Sequence, residues 1–137
     1  MGEIWVATKS IILYNRKVLI IKRSKYAGGS ENEWEIPGGG LEFGEDLLQG
    51  LYREVREEVG LPIHVDRLLY AMTALLSPQR QIVGLTYLSH ADTDKVTLSR
   101  EHIDFLWASN KQLVEMLTKP MLNDFVLNSV FDILDID

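Results

Sequence analysis

Apolar and polar positions change their period several times along this chain. Residues 4–14 and 17–23 are rich in β-branched and aromatic residues and flank Asn15-Arg16, which predicts a β-hairpin. Lys25 to Asn32, with Gly28-Gly29-Ser30, reads as an open loop. A short strand around Trp34–Ile36 then leads into a Gly-rich loop, Pro37-Gly38-Gly39-Gly40. From there the period lengthens. Leu47, Leu48, Leu51, Tyr52, Val55 and Val59 gather on one face of a helix near 46–59, and Gly60 is placed to end it in a left-handed cap. Strands are expected near 64–75 and 81–89 around Ser77-Pro78-Gln79, then a turn at Asp92–Lys95 and a strand at 103–107. Two helices follow, near 110–117 and 121–133, with Pro120 between them. β-Rich segments around one helix, with more helix at the end, predict an α/β (α+β) domain with a mixed sheet between helices.

The polar side of the first helix changes the picture. Glu54, Glu57 and Glu58 stand at i, i+3 and i+4, within an arc of about 100°. Like charges at that spacing destabilise a bare helix by a few tenths of a kcal/mol per pair. A single glutamate there is most simply a solvated side chain, but three together invite a hard divalent cation shared with substrate phosphates. Arg53, four residues before Glu57, is within reach of an ion pair that orients the carboxylate. Gly50, one turn before Glu54, gives up helix stability (about 1 kcal/mol against Ala) and is expected to leave room for a ligand.

Composition narrows the function classes. At 137 residues the chain is read as one domain, 1–137, large enough for a substantial core. A net charge of −6 argues against holding a nucleic-acid polymer through a basic surface. It also implies that an anionic phosphate needs a metal to approach the acidic face. The absence of cysteine excludes a disulfide framework or thiolate zinc site. No signal peptide or membrane-spanning apolar run appears, and Val6 stands where myristoylation expects Ser or Thr, so a cytoplasmic protein without membrane contact is expected.

Gly39, five residues, Glu45, seven residues, then Arg53-Glu54-Val55-Arg56-Glu57-Glu58-Val59-Gly60-Leu61 resembles the signature of the Nudix hydrolases. All of its constrained positions are matched, and Trp34-Glu35-Ile36-Pro37-Gly38 leading into it also resembles the family. The resemblance implies the Nudix αβα sandwich and Mg²⁺-dependent cleavage of a diphosphate linkage, with Mn²⁺ as a substitute ion. It assigns metal to Glu57 and Glu58, makes Glu54 either a third ligand or the general base, and offers the Gly39 carbonyl as a further ligand. Arg53 and Glu45 would orient the site, so Glu54, Arg53 and Glu57 form the expected catalytic set.

Outside the motif, Arg23, Trp34 and Glu101 are the candidates for substrate contact, each weighed against a structural or solvated role. His64, His90 and His102 are scattered without metal-ligand spacing and are expected at the surface or in hydrogen bonds. The implied partner is a small-molecule nucleotide, first a nucleoside triphosphate cut to monophosphate and pyrophosphate. ADP-ribose or a nucleoside diphosphate sugar is the alternative substrate. A non-catalytic nucleotide sensor is the alternative class, disfavoured by the intact motif. Leu76 stands where a proline would hint at ADP-ribose, and Ser77, Pro78 and Gln79 where a tyrosine would hint at dinucleoside polyphosphates. A homodimer follows only from family habit.

Overall fold

The structure, a computed structural model, describes residues 1–137. Strands β1 (Glu3–Tyr14) and β2 (Lys17–Arg23) form the expected hairpin, and Asn15 and Arg16 both adopt left-handed conformations, φ 49° and 62°, at its turn. That turn matches the twist of the flanking strands. The two strands stay paired only at Leu13↔Val18 and Tyr14↔Lys17 before they diverge. Residues 34–40 enter the fork as two short strands, β3 (Trp34–Glu35) on β2 and β4 (Gly38–Gly40) on β1. The Gly-rich segment expected as a loop is therefore ladder.

The remaining strands extend the sheet on both sides. β5 (His64–Ser77) and β6 (Arg80–His90) form a long antiparallel hairpin closed by Pro78-Gln79, longer at both ends of the turn than the sequence pattern indicates. β6 runs parallel to β1 from Glu3↔Arg80 to Leu13↔His90, and β7 (His102–Ala108) pairs with β2. The sheet is mixed, as expected, and β5 forms one edge. No turn forms across Asp92–Lys95; apart from a bend at Asp92, the chain runs irregularly to Ser99.

Alternation along the strands divides the core into two. Ile11, Val18 and Ile20 pack on one side with Ile36, Leu113, Phe125 and Val130. Ile12, Leu19 and Ile21 pack on the other with Leu51, Val55 and Val59 of helix α1 (Leu47–Val59). The sheet thus lies between α1 and a C-terminal layer of α2 (Asn110–Met116), α3 (Lys119–Leu127) and α4 (Val130–Ile133). None of these helices is long and apolar enough to cross a membrane.

Local chemistry explains the helix ends. Asp46 and Gln49 form a reciprocal capping box at the start of α1, and Gly60 closes it at φ 64°. In the first turn Leu47 and Leu48 remain partly exposed rather than joining the apolar face predicted for them. The single C-terminal helix predicted for 121–133 breaks at Asn128-Ser129, where Ser129 is left-handed at φ 56° and Asn128 Nδ2 donates to the Asp124 carbonyl. Pro120 lies inside the first turn of α3 rather than between helices, where its missing N–H leaves no bond unmade.

Gly38 is the tightest point of the fork. Its φ is +140°, and a Cβ there would stand 2.1 Å from the Thr8 carbonyl oxygen. Gly38→Ala is expected to destabilise the fold by about 3 kcal/mol or more, from strain and the forced separation of β4 from β1. Urea denaturation should show a lowered midpoint with an unchanged slope.

Candidate active site

The fork carries β4 beneath the polar face of α1, and a cleft of about 580 Å³ opens along this seam. Glu54, Glu57 and Glu58 project from α1 along one wall, and Gly38, Gly39 and Gly40 form the floor. Lys9 of β1, Arg23 of β2 and Arg100 of the segment before β7 supply positive charge to the same cleft. The backbone approaches closely: a Cβ on Gly39 would lie 2.6 Å from the Glu54 carboxylate. Only glycine lets that carboxylate rest over the strand.

Arg53 organises the acidic wall. Its Nε and Nη2 donate to the two oxygens of Glu45 at 2.7 and 2.9 Å. Nη1 reaches Glu54 at 3.0 Å and Glu57 at 3.3 Å, and Nη2 also donates to the Gly40 carbonyl at 3.0 Å. The planar guanidinium suits this forked pattern, which an ammonium could not reproduce. Hydrogen bonds from Arg53 and the Glu42 backbone hold the Glu45 carboxyl down at about 2. The i, i+4 pair foreseen between Arg53 and Glu57 is present, and it is one spoke of a larger hub. Gly50 has a different task from the one expected. A Cβ there would meet Leu41 Cδ1 at 2.7 Å and Glu45 Oε1 at 3.2 Å, so this glycine seats the 41–45 loop and leaves no ligand space.

Glu58 occupies the dry end of the wall. It is 7 % exposed, and its Oε1 accepts the Gly38 N–H at 2.7 Å. Burial pushes its carboxyl up to about 7, against the opposing pull of Lys9 and the Gly38 N–H. Burial also raises Glu54; Arg53 opposes that shift, and the charges of Glu57 and Glu101 add to it. An all-oxygen donor set whose negative charge is held at such a cost fits a hard divalent cation. The Glu57 and Glu58 side chains would hold it, with Glu54 and the Gly39 backbone beside them.

Behind the basic side lies a hub that sequence reasoning missed. Glu35 accepts from Arg23 Nη1 at 3.0 and 3.1 Å and from Lys9 at 3.2 Å, and it meets His102 Nε2 at 2.8 Å. Burial works to raise the Glu35 carboxyl, but Lys9, His102 and Arg23 outweigh it and hold it at about 2. Arg23 Nη2 also donates to the Ala27 carbonyl at 2.9 Å and to the Gly28 carbonyl, which ties the loop after β2 to the cleft rim. Each partner reads alone as an ordinary charged residue. The one available signal was strand alternation, which sends Trp34 and Glu35 to opposite faces.

The structure brings Gly39, Glu54, Glu57, Glu58, Arg23 and Glu101 into one cleft, with Arg53 bracing its wall. Trp34 goes elsewhere: it packs against the core beneath α2–α4. Trp5 of β1 also lines the cleft, with the Arg80 guanidinium 3.8 Å from its ring. The histidines lie at the surface or in hydrogen bonds as expected, but two of them are not scattered. His64 and His90 come together with Asp92, their ligand atoms all within 4.8 Å, although the sequence spacing concealed it.

Comparison with known proteins gives a family and a fold. The NUDIX domain matches residues 6–125. The chain is 42% identical over 62 residues to an RNA pyrophosphohydrolase of Ruthia magnifica, covering 44% of this chain and 32% of that protein. It is 52% identical over 52 residues to an RNA pyrophosphohydrolase of Acinetobacter baylyi, covering 37% and 28%. The chain thus spans about a third or less of the length of these curated relatives. The crystal structure of a MutT protein from Methanosarcina mazei Go1 shares the fold, with a TM-score of 0.84 and 96% of each chain covered at 22% identity.

The opposed shifts of Glu58 and Glu35 give stability a defined pH profile. Folded Glu58, raised to about 7, holds its proton where the unfolded group at 4.5 has lost it, so stability falls as pH rises through that window. The fall should be on the order of 3 kcal/mol. Glu35, lowered to about 2, contributes stability above 4.5 that is lost as pH falls towards 2. Thermal melts without metal should peak in stability near pH 5. Glu58→Gln should flatten the decline towards pH 8, and an unchanged decline would show that another group causes it.

Proposed function

The chain belongs to the Nudix family, and on that premise we propose that it hydrolyses a diphosphate linkage in a nucleoside diphosphate derivative, first a nucleoside triphosphate. The observation that carries this reading is the braced acidic wall facing basic groups across one cleft. A divalent ion, Mg²⁺ or in its place Mn²⁺, would be held by Glu57 and Glu58 with the Gly39 carbonyl, and would neutralise phosphoryl charge and polarise water.

The chain's own groups divide the remaining work. Arg23 and Lys9, preset by Glu35, and Arg100 face the cleft from the other side, where phosphate oxygens can be held. Arg53 fixes one oxygen of Glu54 and leaves the other beside Gly39. Glu54 is the general base in this reading, since burial makes it a better proton acceptor than an exposed carboxylate. Water adds to phosphorus as its proton passes to Glu54, and the bridging P–O bond breaks. A triphosphate then yields a nucleoside monophosphate and pyrophosphate. Glu101, across the cleft, is a further carboxylate able to position water or substrate.

A second reading rests on the local relatives named as RNA pyrophosphohydrolases. It sets an RNA substrate beside the small nucleotide, and the net charge of −6 favours the nucleotide because a polymer multiplies phosphate repulsion. A panel with Mg²⁺ and with chelator should include oxidised and ordinary deoxynucleoside triphosphates, ADP-ribose, nucleotide sugars and a 5′-triphosphorylated RNA. Metal-dependent monophosphate plus pyrophosphate from a triphosphate is the expected result. Cleavage of ADP-ribose or RNA alone would replace the substrate, and nucleotide binding without turnover of any compound would replace the enzyme with a sensor.

Glu57→Gln should abolish most Mg²⁺-dependent turnover while the melting temperature without metal stays near that of the parent. Glu54→Gln should slow turnover by about 10²–10⁴-fold. Full activity in Glu57→Gln would overturn the placement of the ion.

A further inference from the structure

Strand pairing creates a second cluster outside the cleft. His64 at the start of β5 stands directly opposite His90 at the end of β6, and their rings stack with centroids 4.9 Å apart. Asp66 and Asp92 lie two residues further along from each histidine and reach across the strand pair. His64 Nε2 meets Asp92 Oδ2 at 2.7 Å, and His90 Nδ1 meets both oxygens of Asp66 at 3.0 Å. None of these four residues lines the acidic cleft. All four side chains are open to solvent, so an ion reaches them without any rearrangement of the core.

We propose that His64, His90 and Asp92 form a site for a borderline divalent transition-metal ion, Zn²⁺ foremost, that clips the ends of β5 and β6 together. The ligand atoms of these three residues lie within 4.8 Å of one another. A tetrahedral zinc site with bonds of about 2.0–2.2 Å needs ligand atoms roughly 3.3–3.6 Å apart. Exposed side chains on a paired strand end cover that difference by small rotations. Two imidazoles with one carboxylate select zinc, copper or nickel over Mg²⁺, which takes oxygen ligands and keeps its water. Asp66 holds His90 through Nδ1 and so presents Nε2, the arrangement in which a carboxylate orients a metal-bound imidazole. Three protein ligands leave a fourth position for water. The site ties the edge strand of the sheet to its neighbour.

The test is a Zn²⁺ titration of the full chain in saturating Mg²⁺, which fills the oxygen-rich cleft, followed by calorimetry and histidine ring NMR. Uptake of one Zn²⁺ is expected, with His64 and His90 signals shifted and buried His102 unmoved. The paired change His64→Gln with His90→Gln should remove this uptake, and Asp66→Asn should weaken it at least about tenfold. Zn²⁺ should also raise the melting temperature of the parent but not of the paired variant. Failure to bind Zn²⁺, or equal binding by the paired variant, would overturn the proposal. Nucleotide turnover plays no part in this readout.

Discussion

The fork between β1 and β2 is the constraint on which the site depends. After two residue pairs the strands separate, and the 34–40 segment fills the opening with ladder bonds to both. Had β1 and β2 stayed paired, β4 would have no place beneath the polar face of α1. The insertion demands residues without side chains where β4 crosses Thr8 and Lys9 and where the Glu54 carboxylate rests, and Gly38 and Gly39 meet that demand. The Gly38 N–H then ties the floor to the wall through Glu58. Fold and site share one joint.

Charge is arranged around that joint in two hubs of opposite sign. Arg53 is the cation among carboxylates, gathering Glu45, Glu54 and Glu57. Glu35 is the carboxylate among basic side chains, gathering Lys9, Arg23 and His102. Both centres are largely shielded from water, so these bonds hold geometry more firmly than exposed pairs, which contribute about 0 to 1 kcal/mol. Lys9 links the Glu35 hub to the acidic wall, since its charge acts on both Glu35 and Glu58. The acidic wall is therefore not simply a patch of surplus charge. Its most buried member, Glu58, lacks a full counter-charge and stays raised, the property that makes a divalent cation its natural complement.

Residues close in sequence were legible and residues joined by the sheet were not. The helix, its left-handed cap, the carboxylates and the bracing arginine follow from spacing within 39–61, where turns of a helix convert sequence into geometry. Glu35, Lys9 and His102 meet only because β2 pairs with β3 and β7 while β1 pairs with β4, and no local pattern encodes those registers. The His64–His90 pair likewise needs the β5–β6 register, with its bulge after Val65. Trp34 shows the opposite case. Alternation was sufficient to place it on the core side once Glu35 faced the cleft.

The same distinction separates chemistry from recognition in this fold. The acidic wall comes from one contiguous segment, so the diphosphate-cleaving reading rests on residues whose geometry is fixed locally. The rest of the cleft is assembled from distant segments: Trp5, Val6 and Ala7 on β1, Leu76 on β5, Ile82 on β6, and Ser99 to Glu101 before β7. Apart from Glu101, whose charge acts on Glu54, these residues can change without touching the α1 carboxylates, because they belong to different strands and a different loop. Trp5 is half exposed and already carries a guanidinium against its ring, so the aromatic surface at the cleft mouth is amphipathic rather than simply greasy. In the proposed reading, discrimination among substrates falls to the β1, β5 and β6 lining, and bond cleavage to α1 and β4. A family signature confined to the latter identifies the bond that is cut far better than the molecule that carries it.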